Sequence, residues 1–125
     1  MNLQVNKTYK LYIDGKFPRT ESGRYYKLNS PKGTFVANMC LSSRKDFRNA
    51  VVAARAAQSD WQDRSAFNKS QIVYRIAEML QSRDSSFIAE MEALGLSAAK
   101  AKKELEAAID LVVYYAGWCD KYTQV

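Results

Sequence analysis

Residues 97–121 read SAAKAKKELEAAIDLVVYYAGWCDK and predict the last and longest helix, on which the reading of the fold depends. Ser97 can cap its start, and the alanine- and lysine-rich first turns are strongly helix-forming. An apolar stripe follows at helical spacing: Leu105, Ala108, Ile109, Val112 and Ala116. Tyr114, Tyr115 and Trp118 widen it to nearly all sides. A helix of this kind is buried on most sides, so it either lies at the centre of the chain's own helices or needs a partner surface.

Three further helices are predicted between residues 42 and 94. The first begins after Ser43, a suitable N-cap, and has Asp46 in its first turn, where a carboxylate favours the positive helix end. Its apolar face consists of Phe47, Ala50, Val51, Ala54 and Ala57, with Trp61 near its end. The second helix starts near residues 66–68 and has the stripe Ile72, Val73, Ile76, Met79 and Leu80. The third covers residues 85–94, and Gly95 ends it.

The first forty residues predict short antiparallel strands joined by tight turns. Asp14-Gly15 lies between apolar residues, which is a strong signal for a two-residue hairpin turn. Pro18 should end the second strand of this hairpin. A third strand is expected over residues 25–28. After the turn-forming residues 29–33, a fourth is expected over residues 35–41.

This pattern predicts an α+β fold in one domain, residues 1–125, with a hairpin-rich part at 1–41 and a helical part at 42–125. The length of 125 residues suits one hydrophobic core, but it cannot hold a dinucleotide-binding domain and a separate catalytic domain. No apolar run is long enough to span a bilayer, and the start lacks a secretory leader. We therefore expect a cytoplasmic protein whose two cysteines are reduced.

The residues themselves indicate little chemistry. Histidine is absent, which excludes Ser-His-Asp and Cys-His arrangements and histidine metal sites. Cys40 and Cys119 do not have metal-ligand spacing, and a small buried residue is the default reading of Cys119. The five glycines do not form a phosphate-binding loop. The acidic pairs Glu90/Glu92 and Glu104/Glu106 lie two residues apart on helices, so each pair points to different sides.

The charge is uneven along the chain. Residues 1–60 contain eleven Lys/Arg and four Asp/Glu, whereas residues 61–125 contain eight and nine. A basic half can mark nucleic-acid binding. Here the cations are scattered singly, which favours an ordinary solvated surface over a nucleic-acid partner.

Four stretches in order resemble the N-terminal region of the aldehyde dehydrogenase superfamily: Lys10–Phe17, Asn29–Gly33, Asp46–Trp61 and Tyr114–Lys121. The second resembles the family's Asn-Pro-x-x-Gly turn with one residue inserted. The last matches its Tyr-Tyr-Ala-Gly-Trp-Ala-Asp-Lys helix, except that Cys119 replaces the alanine. Within this superfamily, the sequence of the chain is similar to a bacterial subgroup related to the two-module aldehyde dehydrogenases.

The resemblance implies NAD(P)-dependent oxidation of an aldehyde to an acid or thioester. A cysteine thiolate attacks the aldehyde, hydride leaves to the nicotinamide, and a glutamate activates the deacylating water. In the family these groups and the cofactor-binding strands lie C-terminal to the matched region. No catalytic, cofactor-binding or metal-ligating residue is therefore assigned to this chain, and Cys119 is not the nucleophile. Gly95-Leu-Ser97 also replaces the family's acid-Gly-Lys pattern, so its structural cation site is not carried over.

In the family the matched region is structural: its hairpins brace the oligomerisation part, and its helices pack on the cofactor domain. By that analogy Ala107 and Leu111 could border a substrate tunnel. Three hypotheses follow. The chain is the N-terminal fragment or a subunit of such an enzyme, inactive alone; or it is a free-standing module that self-associates or binds a relative; or it binds nucleic acid.

Overall fold

The computed structural model describes residues 6–121, and its internal contacts divide the chain into two compact units, Met1–Ser59 and Asp60–Val125. Strands and helices follow one another in the order predicted. The elements are β1 (Thr8–Tyr9), β2 (Tyr25–Asn29), β3 (Phe35–Cys40), α1 (Arg44–Asp63), α2 (Ala66–Ser82), α3 (Asp84–Ala93) and α4 (Ala98–Ala116). A small sheet followed by helices confirms the α+β expectation.

The first unit contains a three-stranded sheet in the order β1-β3-β2. The third and fourth predicted strands form the antiparallel pair β2–β3, whose register pairs Tyr25 with Cys40 and Lys27 with Asn38. Its connecting turn is closed by a hydrogen bond from the Gly33 amide to the Ser30 carbonyl, 2.8 Å. The two-residue strand β1 pairs with β3 in parallel; the sequence did not predict it.

The Asp14-Gly15 turn forms as predicted. Both residues have positive φ, +56° and +70°, the combination that a two-residue hairpin turn of this type needs. Ile13 and Lys16 exchange two backbone hydrogen bonds of 3.0 Å, and the Leu11 amide donates to the Pro18 carbonyl. The hairpin therefore ends at the proline, but its pairing is an isolated bridge rather than two regular strands.

Asp46 joins the start of α1 to the loop before β2. Its Oδ2 accepts from the Ser43 amide at 2.7 Å, and the Ser43 hydroxyl accepts from the Asp46 amide at 3.2 Å, which is a reciprocal capping box. The Thr20 hydroxyl and the Glu21 amide also donate to this carboxylate, at 2.5 and 3.0 Å. Asp46 and Thr20 are the buried polar residues among those described. The predicted cap of α1 thus also holds a distant loop.

These hydrogen bonds lower the pKa of Asp46 from 3.8 to about 2, first through the Ser43 amide and then through Thr20 and Glu21. A carboxyl whose folded pKa is depressed stabilises the fold above its unfolded pKa, and this stabilisation is lost as the pH falls towards 2. We expect Asp46→Asn to lower the melting temperature at pH 7, with the difference from the unsubstituted chain shrinking between pH 4 and pH 2. Thermal unfolding followed by circular dichroism measures this. The exposed Asp63→Asn is the control, and an equal loss there would contradict the prediction.

The second unit consists of α2, α3 and α4, with the end of α1 before them. Ser65 and Ser97 cap α2 and α4, their hydroxyls accepting from the amides three residues on. Gly95, at φ +104°, ends α3, and the Leu96 amide donates back to the Met91 carbonyl at 3.1 Å. The expectation that the last helix is the longest is wrong by one residue, since α1 has 20 and α4 has 19.

Within residues 6–121, no helix has the length and hydropathy needed to cross a membrane.

Candidate functional site

The helices of the second unit bury mainly small side chains. Ala77, Ala101 and Ala116 are buried, together with Leu105. The Ser70 hydroxyl donates to the Ala116 carbonyl at 2.8 Å, which ties the start of α2 to the end of α4. In the part of the chain that the structure describes, none of the large side chains is fully buried. The core of this unit is therefore made mostly of small residues, and many of the larger apolar groups stay exposed.

Four of the uncovered apolar groups of α4 and the turn after it form one stripe. Leu111 and Trp118 each lie three or four residues from the neighbouring Tyr114 and Tyr115, and all four are 40–57% exposed. We call these four residues the aromatic stripe. The Tyr114 ring lies 5.4 Å from that of Tyr115, edge to face, and 6.1 Å from that of Trp118. The side chains therefore already form a preorganised aromatic cluster.

The apolar stripe that the sequence predicts on α4 is mostly buried or half-buried, unlike the aromatic stripe. Leu105 and Ala116 are buried, and Ile109 and Val112 are half-buried, as the periodicity predicts. Ala108 is exposed. Of the two readings of this helix, the structure thus supports the one in which the chain covers only part of its apolar surface.

Helix α2 divides its predicted stripe between two faces. Val73 and Leu80 are half-buried, whereas Ile76 and Met79 are exposed. The exposed residues belong to a shallow groove of about 370 Å³, lined by Gln71, Ile72, Arg75, Ile76 and Met79. The periodicity identified these residues as apolar but not which of them the neighbouring helices would cover.

Ala107 and Leu111, the two positions that the resemblance placed near a tunnel, are both exposed and lie one turn apart on α4. Their accessibility is compatible with that role. Leu111 belongs to the aromatic stripe.

The two thiols are hydrogen-bonded to backbone carbonyls. Cys40 Sγ donates to the Tyr9 carbonyl at 3.1 Å, and Cys119 Sγ to the Tyr115 carbonyl at 3.6 Å. Both side chains are half-buried, so Cys119 is less enclosed than the sequence suggested. Among the described residues, no three His, Cys, Asp or Glu side chains are grouped in a way that could hold a metal ion.

The structure also brings together cations that the sequence presents as scattered. Arg19 and Arg24 come from the loop before β2 and Lys10 follows β1, and the three line one cleft in the first unit. No spacing in the sequence indicates this grouping, because the residues are brought together by the folding of the chain around Thr20.

The sequence model of the aldehyde dehydrogenase family matches residues 17–125. The chain belongs to this family. It is 32% identical over 114 residues to D-glyceraldehyde dehydrogenase (NADP(+)) of Thermoplasma acidophilum, covering 90% of this chain and 23% of that enzyme. The crystal structure of an NAD-dependent aldehyde dehydrogenase from Sinorhizobium meliloti superposes with a TM-score of 0.82 at 29% identity, over 90% of this chain and 24% of that one.

A lactaldehyde dehydrogenase structure has a TM-score of 0.89 at 23% identity and supports the fold alone. The match covers 94% of this chain and 25% of that enzyme. The chain thus spans about a quarter of the length of these aldehyde dehydrogenases. Its sheet and helices correspond to the leading part of the family fold, as the resemblance implied.

The contrast between Leu105 and Leu111 on the same helix gives a direct test of the aromatic stripe. Leu105 is 6% exposed and Leu111 56%. Leu105→Ala should lower the free energy of unfolding by about 2–5 kcal/mol, because it leaves a cavity. Leu111→Ala should change it by about 0.5 kcal/mol or less. Urea denaturation measures both, and equal losses would mean that Leu111 is covered.

Proposed function

We propose that this chain serves as the leading, structural part of an NAD(P)-dependent enzyme that oxidises aldehydes, and that it has no dehydrogenase activity alone. The observation that carries the proposal is the uncovered aromatic stripe in a chain that spans about a quarter of its relatives. Exposed aromatic clusters of this kind mark interaction surfaces. Its occupant in this proposal is the remaining part of the family fold, which would cover α4.

The chemistry of the described residues supports the second half of the proposal. The chain contains no histidine, and both thiols are hydrogen-bonded to carbonyls rather than to a base. A nucleophilic thiol needs a neighbouring group that stabilises the thiolate or removes its proton. Neither Cys40 nor Cys119 has such a partner among the hydrogen bonds of residues 6–121. We therefore assign no catalytic residue to this chain.

The residues also do not fit a nicotinamide dinucleotide. Such a cofactor binds where a strand leads through a glycine-rich turn into a helix whose N-terminus faces the pyrophosphate. The turn from β3 to α1, Leu41–Ser43, contains no glycine. The N-terminus of α1 is filled by the Asp46 carboxylate, which would repel a phosphate. We propose that NAD(P) binds elsewhere in the enzyme, and that this chain holds neither cofactor nor metal.

A cytoplasmic location, in which both thiols stay reduced, is part of this proposal. So is an assembled state in the cell: the chain is covered either by the rest of a dehydrogenase or by another copy of itself. We favour the rest of a dehydrogenase as the covering partner, because the family fold continues beyond the part that this chain matches.

The purified chain is expected to reduce neither NAD⁺ nor NADP⁺ with any of a panel of aldehydes, because the nucleophile and the cofactor site are missing. Absorbance of the reduced nicotinamide measures this, with the Sinorhizobium meliloti enzyme as the positive control. Turnover that disappears in Cys119→Ser or Cys40→Ser would contradict the proposal, since it would locate a working nucleophile here.

The covering of the aromatic stripe can be tested in a chimera, in which this chain replaces the matched quarter of the Sinorhizobium meliloti enzyme. Tyr115→Asp should reduce the yield of soluble, active chimera at least about tenfold, because a buried, unpaired carboxylate is strongly unfavourable. Lys103→Glu, on the same helix and exposed, should leave the yield nearly unchanged. Activity per milligram and size-exclusion chromatography measure the outcome.

Equal yields for the two variants would mean that the stripe stays in solvent within the enzyme. The free-standing module remains the second candidate, because an uncovered stripe is also suited to a second copy of the chain. Light scattering of the purified chain separates the two: a concentration-dependent dimer that Tyr115→Asp dissociates would favour the module.

A further inference from the structure

A cleft of about 300 Å³ in the first unit is lined by three cationic side chains, Lys10, Arg19 and Arg24. Thr8, Tyr25 and Cys40 line it as well. Tyr25 and Cys40 are paired across β2 and β3, and Thr8 pairs with Asn38, two residues from Cys40. Paired residues share a sheet face, so the cleft lies on the face of the sheet that carries these three residues. Its lining includes no acidic side chain.

The acids of this unit are already engaged. Residues 1–59 contain eleven Lys/Arg but three Asp/Glu. Asp46 accepts the hydrogen bonds of the α1 cap, Glu21 pairs with Lys45 at 2.6 Å, and Asp14 lies 3.9 Å from Lys16. Within residues 6–121, the three cations of the cleft form no ion pair. The contacts of these three carboxylates are therefore with groups other than the cations of the cleft.

Three positive charges around one concave site repel one another, and a bound anion would relieve that repulsion. Two of them are guanidinium groups, whose planar fork matches the oxygens of a phosphate or carboxylate. Lys10 adds a mobile point charge. The volume is at the lower end of the range for small-molecule sites, which excludes a large cofactor.

We propose that this cleft is a binding site for a small polyanion, a compound with several phosphate or carboxylate oxygens. The site is separate from the aromatic stripe and does not depend on the function proposed above, because its residues all belong to the first unit. Its ligand would bind through Arg19 and Arg24, with Lys10 contributing charge.

Isothermal titration of the full chain with inorganic pyrophosphate at low ionic strength tests this proposal. We expect saturable binding at one site, weakened at least about tenfold in Arg19→Ala and in Arg24→Ala, because each removes a charge-assisted hydrogen bond. Lys32→Ala removes the same charge from an exposed turn of the same unit and should change the affinity less than about twofold. Citrate in place of pyrophosphate distinguishes a carboxylate ligand from a phosphate ligand.

The thiols provide a second measurement that needs no arginine variant. Cys40 lines the cleft and Cys119 lies in the other unit. Saturating pyrophosphate should slow alkylation of Cys40 by iodoacetamide and leave the rate at Cys119 unchanged. Absence of saturable binding for both anions, equal weakening in Lys32→Ala, or an unchanged Cys40 rate would each overturn the proposal.

Discussion

A core made mostly of small side chains is the constraint on which the second unit depends. Ala77, Ala101 and Ala116 are buried together with Leu105, and the Ser70 hydroxyl on α2 donates to the Ala116 carbonyl at the end of α4. Burial stabilises by roughly 25 cal/mol per Å² of apolar area, and small side chains have little area to bury. Of the large apolar side chains on α4, Leu105 is buried, whereas Leu111, Tyr114 and Tyr115 stay exposed.

The first unit is organised differently, around a carboxylate rather than an apolar contact. Asp46 accepts hydrogen bonds from Ser43, Thr20 and Glu21, and so fixes the helix start and the loop before β2 together. The carboxylate is held by neutral donors, and among the described residues it forms no ion pair with Lys10, Arg19 or Arg24.

The elements that local chemistry decides were predictable from the sequence. The Asp14-Gly15 turn, the Ser43 and Ser97 caps and the Gly95 stop each depend on a few neighbouring residues, and the structure has them at the expected positions. Strand β1 was missed because it has two residues and pairs with β3, thirty positions away. Two residues carry no periodicity, and parallel pairing leaves no turn signal between them.

The candidate sites were predictable to different degrees. The sequence indicated the aromatic stripe, because apolar residues occupy nearly all sides of α4. Tyr114, Tyr115 and Trp118 lie outside the face that Leu105 and Ala116 define. The sequence could not predict that Val73 of α2 is half-buried while Ile76 is exposed. The spacing of apolar residues identifies an apolar face of a helix but not which other element packs against it. The cleft was not predictable, because Lys10 is separated from Arg19 and Arg24 by the Asp14-Gly15 hairpin.

The aromatic stripe also gives the isolated chain a particular response to temperature. Attraction between apolar surfaces strengthens on warming from low temperature, whereas the attraction between opposite charges at an exposed surface is set mainly by salt. With four large apolar side chains uncovered on one side of α4, the chain would be most dispersed in the cold. Its colloidal behaviour therefore depends on the surface that it leaves open as well as on its net charge of +6.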